Sequence, residues 1–130
     1  MNNVVFFDDT IDIFSTFIVF VLSGYLINKT ANVFKATKTR ALGLYIWHSA
    51  FSLVYAFLSL IKASDSTAYY IFSKGIMPDF KIGTDAITYI AGIFTNGFGL
   101  SYLGVFMVFN IFGSIGLLAV DASLRHATVD

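Results

Sequence analysis

The chain has 130 residues, 57% hydrophobic and only 12% charged, with eight Lys and Arg against eight Asp and no Glu. A soluble domain carries about 25% charged residues; a mean hydropathy of +0.77 and 15 Phe would coat such a domain in aromatic patches, so lipid is the expected solvent for much of the surface. Neutral charge excludes the basic stripe of a nucleic-acid partner, and the absence of Cys excludes disulfides, thiolate metal sites and thiol nucleophiles.

A membrane helix needs about 20 mainly apolar residues, and the first candidate is residues 11–27, IDIFSTFIVFVLSGYLI, with Asp12 at its outer end. The preceding MNNVVFFDDT is acidic where a secretory signal needs Lys or Arg, and no small-residue cleavage site follows. This span reads as a retained anchor. Residues 28–40, NKTANVFKATKTR, form a loop with Lys29, Lys35, Lys38 and Arg40 and no acid. The positive-inside rule places that loop in the cytoplasm and the N-terminus, with Asp8, Asp9 and Asp12, outside. The Asn28-Lys29-Thr30 sequon then faces the cytoplasm and is read as chance.

The second span is residues 41–61, ALGLYIWHSAFSLVYAFLSLI. His48 lies inside it, with Ser49 and Ser52 forming a polar stripe and Trp47 beside it as an interface anchor displaced inward. An ionisable group in hydrocarbon faces protein or water. His48 is therefore read either as a neutral imidazole bonding a neighbouring helix or as a proton-transfer or substrate contact.

Residues 62–99 make an external segment, too polar to span and too apolar to float free. Asp65 stands at the mouth of the second helix, and Tyr69, Tyr70, Phe72 and Ile76 lie near a headgroup layer. In GTDAITYIAGIF, Thr84 is expected as a helix cap with Asp85 in the first turn. Ile87, Ile90, Ala91 and Phe94 share one face, so one or two interfacial helices are expected here. Gly97 and Gly99 allow a tight turn into the third span, residues 100–120, LSYLGVFMVFNIFGSIGLLAV. Asn110 lies near its centre and seeks a partner on another helix, at a depth similar to that of His48. Gly104, Gly113, Ser114 and Gly116 offer a small-residue face for close packing. The fold expected is all-α: one membrane domain over residues 1–130, with three transmembrane helices and one or two surface helices.

Asp65 admits two readings. It is a helix-end residue at the water boundary, with the tyrosines as an aromatic belt, or it is a base, a metal ligand or a phosphate-linked contact. No P-loop, dinucleotide glycine fingerprint, HExxH or G-x-S-x-G elbow is present. The two His share no metal-like spacing with a carboxylate, and no cofactor is identified, a divalent metal at Asp65 being the one candidate.

The order ASDSTAYY, KIGTDAITYIAGIF, GLSYLGVFMVFNIFGSIGLL resembles the N-terminal region of bacterial multi-pass O-antigen or exopolysaccharide polymerase-like proteins. More loosely it is similar to membrane glycosyltransferases that use polyprenyl-phosphate sugars. The resemblance covers about residues 41–125. It implies a catalytic role for Asp65, more weakly substrate contacts by Tyr69 and Tyr70, a polyprenyl-linked sugar as substrate, and residence in the bacterial cytoplasmic (inner) membrane. Such proteins have about ten or more spans, so the chain is expected to be an N-terminal piece, a truncated product or a small relative, inactive alone. Two other classes compete: a non-catalytic subunit that packs against other membrane helices or its own copies, and a holin-like pore, whose polar stripes are sparse for a channel lining.

Overall fold

A computed structural model describes residues 4–62, 64–76 and 78–129; Ala63 and Met77 of the external segment lie outside that description. The helices are α1 (Thr10–Thr30), α2 (Lys38–Ile61), α3 (Asp65–Ser73), α4 (Thr84–Gly92) and α5 (Tyr102–Ala127), with a π-helical turn, Ile93–Gly97, continuing α4. The all-helical expectation holds among the described residues. Helices α1, α2 and α5 are long and apolar enough to cross a membrane. At 21, 24 and 26 residues they reach about 31, 36 and 39 Å, enough for a hydrocarbon layer of about 30 Å.

Each long helix starts on a side-chain oxygen. Asp9 accepts the Asp12 amide at 3.0 Å, and Asp12 reaches back to the amides of Asp8 and Asp9 at 2.7 and 3.3 Å. This reciprocal box satisfies donors that hydrocarbon could not. Thr37 caps α2 through the Arg40 amide, and Ser101 caps α5 through that of Gly104.

The loop between α1 and α2 is shorter than the charge pattern implies, because residues 28–30 and 38–40 are helical. Past α1 the chain closes with Ala36 N–H to Ala31 O and Lys35 N–H to Asn32 O. That is a Schellman-type stop, with Lys35 at φ 50° in the position glycine usually takes. Arg125 holds it from α5, donating to the carbonyls of Lys35 and Phe34 at 2.8 Å each. Asp121 joins Arg125 to Arg40 of α2.

Helix α5 is central, packed on both α1 and α2, which also touch each other. The bundle is apolar outward, and its seam mixes polar with apolar groups: Leu103, Met107 and Leu118 of α5 are buried beside Ser49, Asn110 and Ser114. On α1, Ile13, Phe14, Phe17 and Val21 are exposed while Thr16, Ser23 and Gly24 are buried. Without a hydrophobic drive between helices in lipid, close packing and interhelical bonds supply the cohesion. Small residues permit the approach: the Tyr45 ring lies over Gly24 and Thr16 lies against Gly104. The Tyr45 hydroxyl donates to Phe20 O at 2.8 Å. Trp47, expected as an interface anchor, is 63% exposed on the outward face, edge-on to Phe51.

Two short helices cover one end of the bundle, as the external segment implies. The cap of α4 is not Thr84 but Gly83, at φ 115°, a conformation that L side chains rarely adopt; Thr84 is the first helical residue. The inward face of α4 and its π turn is Thr88, Ala91, Gly92 and Thr95, with Ile87 exposed, one step round from the apolar face read in the sequence. The π turn arises where Thr95 and Asn96 turn to α3: Thr95 Oγ1 donates to Ser73 O at 3.3 Å and Asn96 Nδ2 to the same oxygen at 3.0 Å. Gly99, at φ 65°, then reverses the chain into α5.

Candidate functional site

A pocket of about 220 Å³ opens at the capped end, between α2, α3, α4 and α5. Its apolar lining is Ile87 and Ala91 of α4 and Val105, Phe106 and Phe109 of α5. Asp65, Ser66 and Tyr69 of α3 and Tyr55 of α2 also line it. Tyr70 and Tyr102 complete the lining, edge-on with ring centroids 5.2 Å apart, and the Phe106 centroid lies 5.3 Å from that of Tyr102.

Asp65, Tyr69 and Tyr70, singled out in the sequence, therefore meet in one cavity. Asp65 is the first residue of α3 and exposed. It makes no ion pair among the described residues, and its charge complements the helix N-terminus. Tyr69 is half-buried, while Tyr70 is buried and carries the Lys74 ammonium over its ring at 4.5 Å. Burial pulls the Lys74 ammonium down, but Tyr70 and the Asp8 carboxylate, 3.6 Å away, outweigh it and its pKa stands above the ordinary lysine value.

Tyr102 was not singled out, yet it centres the site. It is 1% exposed, and its hydroxyl lies 2.6 Å from Ser59 Oγ of α2 and 3.0 Å from Ser66 Oγ of α3. The one available signal is its place, one residue after the Ser101 cap, where a phenol in the first turn of a membrane helix points back toward the interface.

His48 is elsewhere. It lies on α2 well before Ile61, about 20 Å along the axis from that end, and does not line the pocket. Its partners follow from proton counting. Ser49 Oγ donates to Tyr45 O at 2.7 Å, so it accepts from Asn110 Nδ2, also at 2.7 Å. That fixes the amide and turns Asn110 Oδ1 toward Ser52 Oγ (2.9 Å) and His48 Nδ1 (2.5 Å). An amide oxygen only accepts, so Nδ1 carries the proton. The depth match expected between His48 and Asn110 is thus a direct bond, and the site is a joint between α2 and α5.

The donor set at the pocket offers a metal ion one carboxylate and several hydroxyls, whereas hard divalent cations take six or more oxygens. Among the described residues no three His or Asp side chains gather as a ligand set. Compared with known proteins, the chain matches no family model, no curated protein and no solved structure.

Proposed function

We propose that this chain is a membrane module that seats a lipid-linked sugar at the outer face of a bacterial inner membrane, as the N-terminal part of a polysaccharide polymerase-like or glycosyltransferase-like protein. The pocket carries the reading: apolar side chains of α4 and α5, four tyrosine rings and one carboxylate share a single lining. That mixture is what an amphiphile with a polar head requires. The basic 28–40 loop favours the topology, with the pocket on the opposite side of the membrane. In this reading Asp65 takes a proton from an acceptor hydroxyl, Tyr69 and Tyr70 face the sugar, and His48 holds helices together. With one carboxylate at the pocket, no metal is assigned.

Asp65→Asn in cells making the polymer is the test. Loss of polymer with unchanged membrane levels of the protein supports the reading. Full polymer output with Asp65→Asn, and again with Tyr69→Ala, leaves the non-catalytic interaction subunit, alone or as copies of itself, as the function.

A further inference from the structure

The end of the bundle away from α3 and α4 carries a second hollow, of about 650 Å³, between the α1–α2 connection and the last turn of α5. Lys35, Arg125 and His126 line it together with Val33, Phe34 and Val129. Val33, Val129 and Lys35 are exposed, and Arg125 is half-buried. Helix α5 outruns a hydrocarbon layer of about 30 Å, so its last turn stands among headgroups. Cationic and apolar side chains thus share one groove at that level.

Charge is not balanced there. Asp121 pairs with both Arg40 and Arg125, which leaves one positive charge over. Lys35 adds another, with no ion pair among the described residues; Asp130 lies outside that description. A guanidinium has five N–H donors. Arg125 spends three of them, on Asp121, on Lys35 O and on Phe34 O, and two are left for a ligand. His126 adds an imidazole N–H. Carbonyls at a helix C-terminus repel an anion, but those of Phe34, Lys35, Leu124 and Arg125 are covered. Arg125 takes the first two. Thr128 donates its amide to Leu124 O and its hydroxyl to Arg125 O, each at 3.1 Å.

We infer that this groove takes the headgroup of an anionic phospholipid from the leaflet at this end of the bundle, with the phosphate between Lys35 and Arg125 and the acyl chains beside Val33 and Val129. A free phosphate satisfies the cations but leaves the valines in water, so a lipid is the occupant that matches both halves of the groove. The bound headgroup ties the α1–α2 connection to α5. This contact is separate from the capped-end pocket, and the sugar reading can fail without it.

The test places the full chain, with nitrogen-15-labelled arginine, in phosphatidylcholine nanodiscs containing a rising fraction of phosphatidylglycerol. Arg40 and Arg125 are the chain's arginines, so their Nε–H signals are assignable by NMR. Phosphatidylglycerol is expected to shift the Arg125 signal saturably, and inorganic phosphate added to pure phosphatidylcholine discs to leave it in place. Lys35 sits at φ 50°, a conformation that Asn tolerates, so Lys35→Asn removes the charge and keeps the chain reversal. It should raise the half-saturating fraction about fivefold. His126→Ala, at an exposed position outside the reversal, should raise it too. Lys38→Gln makes the same charge change at a residue that does not line the groove and should move it less than twofold. If Lys38→Gln weakens binding as much as Lys35→Asn, diffuse surface charge governs and the inference is overturned. Saturation by inorganic phosphate alone, or an Arg125 signal indifferent to phosphatidylglycerol, overturns it as well.

Discussion

The His48 imidazole occupies the space that a side chain at residue 113 would need: a Cβ built on Gly113 runs into Cε1 and Nε2 of the ring. The ring cannot turn aside freely, because Nδ1 is bound to Asn110. Gly113→Ala is therefore expected to cost about 1–3 kcal/mol through overpacking and a weakened bond. Nothing lies within 4 Å of a Cβ at Gly116, so Gly116→Ala on the same helix is the control and should be neutral or mildly stabilising. Reversible unfolding in mixed micelles measures both.

Asn110 joins three side chains of α2, so Asn110→Leu should separate α2 from α5 at a cost of about 0.6–2 kcal/mol per bond lost. The same network demands a proton on Nδ1 of His48. Nitrogen-15 spectra of labelled histidine in bilayers should show that tautomer in the wild type, and a mixture in Asn110→Leu. An Nε2-protonated ring in the wild type would contradict the hydrogen-bond order derived for Ser49, Asn110 and His48.

Ser114 is 1% exposed and its hydroxyl has no partner among the described residues. A buried hydroxyl left unbonded is costly, and removing it relieves that cost without opening a cavity larger than one oxygen. Ser114→Ala should therefore raise stability by about 1 kcal/mol, read in the same unfolding assay.

These sites divide what the sequence shows from what it hides. The three long helices were legible because about 20 apolar residues in a row admit few other structures. Asp65, Tyr69 and Tyr70 were legible as a group because they follow closely on the hydrocarbon boundary at Ile61. Tyr102 was not, since it lies far along the chain from Ser66 and Ser59 and only the fold brings them together. The π turn at Ile93–Gly97 was hidden for a similar reason: it follows from bonds that Thr95 and Asn96 make to Ser73, not from a local propensity. The cap at Gly83 instead of Thr84 turned on a positive φ, to which hydrophobic spacing is blind.

Lys74 ties the N-terminal stretch to α3 through Asp8 and the Tyr70 ring. Because its pKa is raised in the folded protein, its contribution is fully present below the ordinary lysine pKa and is lost as pH rises through the raised value. Hydrogen exchange at Phe6 and Phe7 should thus be unaffected by moving from pH 6 to pH 8 once intrinsic rates are corrected. It should speed up in Asp8→Asn, modestly, since the pair is about half exposed and screened. A steep change between those two pH values would sink this account.

The long helices share a seam in which Asn110 and Ser49 sit among Leu103, Met107 and Leu118, and because acyl chains are as apolar as those carbon-rich groups, greasiness is not what draws the helices together. Separating them within a bilayer would strand the Asn110 amide and the Nδ1 proton of His48 among acyl chains, where nothing answers them. Cohesion is then strongest in the driest layer, and a short-chain alcohol, which lends each stranded group a substitute partner, will part the bundle while leaving every single helix coiled.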